Sequence, residues 1–203
     1  MKTPVLVSAY MLFMLSTLVP SLEADTQNNA ITYHAAFVHE SVAFPINPVK
    51  LPVHPGCTVG VNIPIITKGT WQVGIDGSFL WFYHKWLEHG LLLDTALNVL
   101  RYAGPMGIKL RAGIGVYRAI TDPGLYIPQG DGTFVKSAFP GKFFGSAKVG
   151  IGVESKHFQL QKISVAPFVY YDTILVFPYS TVSPVLPHTF LIMGIKVGME
   201  DKE

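Results

Sequence analysis

Hydrophobic and polar residues alternate along most of this chain, the period of a strand whose two faces meet different surroundings. Segment 142–154 shows it most cleanly. Phe143, Gly145, Ala147, Val149, Ile151 and Val153 fall on one face, and Phe144, Ser146, Lys148, Gly150, Gly152 and Glu154 on the other. In 106–117, Met106, Ile108, Leu110, Ala112, Ile114 and Val116 oppose Gly107, Lys109, Arg111, Gly113, Gly115 and Tyr117. In 190–199, Leu191, Met193, Ile195, Val197 and Met199 oppose Gly194, Lys196 and Gly198. In 71–84 the apolar face is Trp71, Val73, Ile75, Phe79, Trp81 and Tyr83, against Gln72, Gly74, Asp76, Ser78 and His84. Segments 31–44, 57–66, 91–102 and 157–174 fit less regularly. The last holds Pro167 and changes phase near Lys162, which predicts a bulge. The total is about eight strands, an even number, as closed single-chain membrane barrels have. Segment 31–44 reads either as the first strand or as a plugging or periplasmic segment.

The connections divide by length. Thr67-Lys68-Gly69-Thr70, Ala103-Gly104-Pro105 and Glu154-Ser155-Lys156-His157 read as tight turns. They alternate with longer stretches at 45–55, 85–90, 120–141 and 176–188. With both termini on one side, every tight turn falls on that side and every long loop on the other. This is the asymmetry of barrels that cross a membrane.

The polar face collects Asp76, Asp94, Lys109, Arg111, Lys148, Glu154, Lys162, Asp172 and Lys196, with glycines between them. An eight-stranded barrel has an interior just wide enough for side chains. These charges are therefore expected to face the lumen and pair across it, Lys109, Arg111, Lys148 and Lys196 with acids such as Asp76, Asp94, Glu154 and Asp172. The apolar face is expected to meet lipid, with Trp71, Trp81, Tyr83, Trp86 and Tyr102 near strand ends as interfacial girdles. The competing arrangement is a water-soluble, lipocalin-like barrel with the faces exchanged. The glycine-rich polar face argues against it.

Composition agrees with a membrane protein that lacks spanning helices. The chain has 203 residues, 49% of them hydrophobic and 14% charged, against about 25% charged in a typical soluble domain. After the N-terminal segment no apolar run reaches the roughly 18 residues that a spanning helix needs. The net charge of +2, without a basic run, gives no reason to expect a nucleic-acid partner. Met1-Lys2, the apolar stretch 5–18, Pro20 and the small residue Ala24 before Asp25 have the layout of a cleaved secretory signal peptide. Residues 1–24 are thus expected to be removed, leaving 25–203 as the barrel domain. Cys57 is the single cysteine, so no internal disulfide forms.

Strand rhythm, export signal and loop asymmetry together resemble the small eight-stranded outer-membrane β-barrels of Gram-negative bacteria, of the OmpA or OmpX kind. Leu51-Pro52-Val53-His54-Pro55-Gly56 leading into 57–61, with Glu40-Ser41-Val42 upstream, is similar to uncharacterised exported barrels of that group. The resemblance implies an all-β, closed, antiparallel up-and-down transmembrane barrel located in the outer membrane. Its implied partners are outer-membrane lipid, the barrel-assembly machinery and an extracellular ligand held by the long loops. Such barrels usually end on an aromatic residue read during assembly, whereas this chain ends Gly198-Met199-Glu200-Asp201-Lys202-Glu203.

No constellation reaches a mechanism, and no catalytic, cofactor-binding or metal residue is assigned. Ser78 and His84 share a face but stand about 20 Å apart at about 3.3 Å per residue. His39 and Ser41 lie side by side without a base aimed at a nucleophile. His34, His39, His54, His84, His89, His157 and His188 look scattered, with no ligand spacing. A non-enzymatic structural or surface-interaction barrel is the leading reading. A narrow pore or hydrophobic-ligand carrier and a lipid-modifying enzyme are the alternatives.

Overall fold

The computed structural model describes residues 30–41, 54–84, 88–120, 126–130, 132–136, 141–160, 163–178 and 184–199. The signal-peptide segment 1–24, Trp86 and Lys162 lie outside these residues. Eight long strands carry the fold: β1 (Thr32–Ser41), β2 (His54–Lys68), β3 (Trp71–His84), β4 (Glu88–Ala103), β5 (Met106–Ile120), β8 (Lys142–Ser155), β10 (Ile163–Phe177) and β11 (Leu186–Met199). Three short strands, β6 (Tyr126–Pro128), β7 (Phe134–Lys136) and β9 (Phe158–Leu160), sit between them. Each long strand pairs antiparallel with the next, and β11 pairs with both β10 and β1, which closes the ring. No edge is left among the long strands, so every ladder can be satisfied within the barrel, as a hydrocarbon surrounding requires.

The burial pattern is that of a globular protein turned inside out. Leu93, Ile114, Val149, Ile151 and Ile195 are exposed, several by more than half. Asp76, Lys109, Glu154, Asp172 and Lys196 are each no more than 2% exposed. Alternation puts these two sets on opposite faces, charge inward and hydrocarbon outward. This excludes the lipocalin-like arrangement.

The lumen is packed. Val38, Leu80, Phe82, Leu92, Phe190 and Ile192 belong to one buried apolar cluster inside the barrel. Glycine provides the remaining space: a Cβ on Gly152 would lie 2.1 Å from Tyr170 Cδ1.

Thr32 pairs with Gly198, so the two ends of the barrel chain lie side by side. Two-residue turns link β2 to β3 and β4 to β5 at that end. Gly69 and Gly104 take φ of 56° and 65°, the left-handed values that hairpin turns demand and that glycine reaches without strain.

Of the two readings of segment 31–44, the barrel strand holds over 32–41; residues 42–44 lie outside the described residues. Other expectations need correction. Segment 157–174 is not one bulged strand. Leu160 pairs with Ile163, so the phase change near Lys162 marks a hairpin between β9 and β10. The connection after Glu154 is accordingly no tight turn. Pro167 lies just beyond the β8 ladder, which begins at Phe168↔Glu154, and its missing N–H does not interrupt that pairing. Among the described residues a register shift does occur in β2, at Pro64/Ile66. Stretch 85–90 is no long loop either, because His84 pairs directly with Glu88. Tyr102 leaves the expected girdle: it is buried and donates to Glu154 Oε1 at 3.3 Å.

Candidate functional site

Two polar clusters occupy the lumen, separated by the apolar belt. The one nearer the tight turns consists of charge pairs, each joining different strands. Lys109 Nζ lies 3.0 Å from Asp76 Oδ2, and Asn62 donates to the same carboxylate at 2.7 Å. Arg111 pairs with Asp172, Lys148 with Asp94 and Lys196 with Glu154. Ser78 donates to Asp94 at 2.9 Å, and Tyr170 donates to Glu154. The Arg111 guanidinium stands 4.0 Å from the centre of the Tyr170 ring. Eight of the nine charges picked out by parity are thus buried partners of one another, while Lys162 lies outside the described residues. A buried charge is tolerated only when paired and hydrogen-bonded, and this network meets that condition.

The second cluster stands at the other end, where β1, β3, β5 and β10 finish and β2, β4, β8 and β11 begin. Glu40, next to the last residue of β1, points inward and is fully buried. His54 Nδ1 lies 3.1 Å from Glu40 Oε2 and His188 Nδ1 2.9 Å from Glu40 Oε1. His84 Nε2 is 4.0 Å from Oε2. The His54 and His84 rings face each other with centroids 3.6 Å apart. His188 Nε2 reaches to 4.0 Å from Glu88 Oε1, and Tyr117 donates to Glu88. Beneath them His188 packs on Phe82 and Phe190, with centroids 5.5 and 6.1 Å away. The belt therefore forms the floor of this pocket. His54 and His84 keep 11% of their side-chain surface exposed, against 1% for His188, so the cluster opens at its His54–His84 side.

The sequence shows none of this second cluster, because its histidines lie 14 to 148 positions from the Glu40 they surround. Two signals carry it in hindsight. Each residue has the inward parity of its strand, and each sits within a few residues of the strand end that adjoins a connection opposite the tight turns. The serine candidates resolve differently. Ser78 is tied to Asp94. His39 and Ser41 point away from Glu40, and neither ring nitrogen of His39 has a hydrogen-bond partner among the described residues.

No protein-family model matches the chain, and no curated protein matches it significantly. Among solved structures it is similar to Neisserial surface protein A, at 16% identity and TM-score 0.46, over 83% of this chain and 96% of that one. It is similar to the N-terminal β-barrel domain of Pseudomonas aeruginosa OprF, at 11% identity and TM-score 0.45, over 84% and 98%. It is also similar to the attachment invasion locus protein Ail of Yersinia pestis, at 13% identity and TM-score 0.41, over 83% and 95%. The assignment of a closed barrel stands on this chain's own ring of strand pairings.

Proposed function

We propose that the protein is a small outer-membrane barrel with a structural or surface-interaction role, exported by a signal peptide removed before Asp25. The observation that carries this reading is the inverted burial. An exterior of exposed leucine, isoleucine and valine around a core of paired charge is stable in lipid and not in water. A bilayer offers a surrounding for that exterior, and the barrel-assembly machinery is the route into it.

The packed lumen favours this role over transport. The gap among His34, Ser78, Arg111, Lys148, Tyr170 and Asp172 has a volume of about 10 Å³, roughly the space of a single water. The Arg111–Asp172 and Lys148–Asp94 ion pairs themselves line it. What remains for action is the lipid-facing wall and the end opposite the tight turns, where the second polar cluster lies.

Fractionation of expressing cells, followed by gels of boiled and unboiled samples, tests the reading. The protein should appear in the outer-membrane fraction and migrate differently when unboiled, with an intact mass starting near Asp25. The purified barrel should give no discrete conductance steps in planar bilayers. A soluble protein that boiling does not shift, or steady single-channel steps, would contradict it.

A further inference from the structure

Glu40 has no exposed surface, and the ion-pair partners found for it are three imidazoles: His54, His84 and His188. A carboxylate taken out of water needs a compensating positive charge. In the cluster nearer the tight turns lysine and arginine provide it; here the neighbours are imidazole nitrogens. The nitrogens turned to Glu40 Oε2 are His54 Nδ1 and His84 Nε2; the opposite ring nitrogens, His54 Nε2 and His84 Nδ1, have no hydrogen-bond partner among the described residues, so no second contact pins either ring. A buried carboxylate with imidazole nitrogens gathered round it, above an apolar floor, is the donor set of a borderline-soft divalent cation.

We propose that Glu40, His54 and His84 form a metal site of the Zn²⁺ class at the barrel mouth. One donor atom from each of the three lies within 4.8 Å of the other two. Ligands sharing a tetrahedral zinc stand about 3.3 Å apart, given bonds of about 2.0–2.2 Å. His54 Nδ1 and Glu40 Oε2, at 3.1 Å, already have that spacing. His84 Nε2, at 4.0 Å from the same oxygen, closes the remainder by turning its ring. Two imidazoles and one carboxylate leave a fourth position, and the partial exposure of His54 and His84 places it on the open side of the cluster.

His188 is a positioning residue in this site. Its Nδ1–H donates to Glu40 Oε1 and holds the carboxylate so that Oε2 faces His54 and His84. Its other nitrogen points to Glu88, which Tyr117 holds in turn. Ligating groups are commonly oriented by such outer partners, whose loss weakens metal affinity by about 10–100-fold. The ion ties together β1, β2 and β3, and through His188 also β11. Oxygen-seeking ions such as Ca²⁺ and Mg²⁺ fit this nitrogen-rich set poorly.

The test is Zn²⁺ titration by calorimetry on the mature, untagged barrel in detergent, after chelator treatment. One Zn²⁺ per chain should bind, unaffected by millimolar Ca²⁺. Glu40→Gln, His54→Ala and His84→Ala should each weaken it by about a hundredfold or more, and His188→Gln by about 10–100-fold. His157→Ala, far from the cluster, should bind as the parent does. Co²⁺ in place of Zn²⁺ should give the visible absorption of a tetrahedral nitrogen–oxygen site, lost in His54→Ala. Unboiled-gel mobility confirms that each variant is folded. Should one variant fail to fold, the Zn²⁺-dependent rise in the parent's unfolding midpoint, and its absence in the variants that remain folded, carries the test. Failure of the parent to bind one Zn²⁺, or equal binding by the folded His54→Ala and His84→Ala variants, would overturn the site. It would leave a hydrogen-bonded histidine–carboxylate cluster in its place. The outer-membrane reading is independent of either result.

Discussion

A Cβ on Gly150 would lie 1.9 Å from Asp172 Oδ1, so the carboxylate that holds Arg111 occupies the space a side chain would take. Glycine there is part of the ion pair. Gly150→Ala should push Asp172 off Arg111 and cost about 1–3 kcal/mol, as overpacking of a filled interior does. Lys148→Ala should cost more, about 3–5 kcal/mol, because it leaves the buried Asp94 carboxylate without its cation. Ser78, which also donates to Asp94, compensates only in part. Urea titrations of barrels folded into lipid vesicles measure both effects. Midpoints unchanged from the parent would mean that these pairs are wet and do not hold the lumen together.

Strand by strand, alternation alone made the two faces legible. In β8 every odd residue from Val149 to Val153 is exposed and Lys148 and Glu154 are buried, as the sequence rhythm requires. Alternation failed where the chain reverses, since β9 and β10 are too close in sequence for a period to separate them, and the hairpin looked like a slipped phase. It also missed the way β3 and β4 pair up to His84 and Glu88, because His89-Gly90 looks like loop composition. The Glu40–His54–His84 cluster was illegible for a different reason. It depends on which strands become neighbours and on their register, and neither is visible in spacing along the chain. The outward face of β8 offers a direct test at this scale. Val149 is 60% exposed, so Val149→Leu should fold into vesicles within error of the parent, there being no packed wall to violate. Val149→Arg should cost about 2–4 kcal/mol if the site lies near the bilayer midplane. A clear loss from the leucine substitution would mean that this face packs against protein.

For the molecule as a whole, the closed ring, the filled lumen and the apolar exterior make a single claim: the barrel keeps its charges inside and its hydrocarbon in lipid. The most direct measurement is thiol labelling in the bilayer. Cys57 is exposed and is first replaced, giving a Cys57→Ser background. Val149→Cys and Ser146→Cys are then made in it, one on the exposed face of β8 and one on the buried face, where Ser146 is 3% exposed. A membrane-soluble maleimide should label position 149 in folded, vesicle-embedded protein and leave position 146 unreacted until the barrel is denatured. Ready labelling at 146 with protection at 149 would show that the faces are reversed and that lipid is not the solvent this barrel is built for.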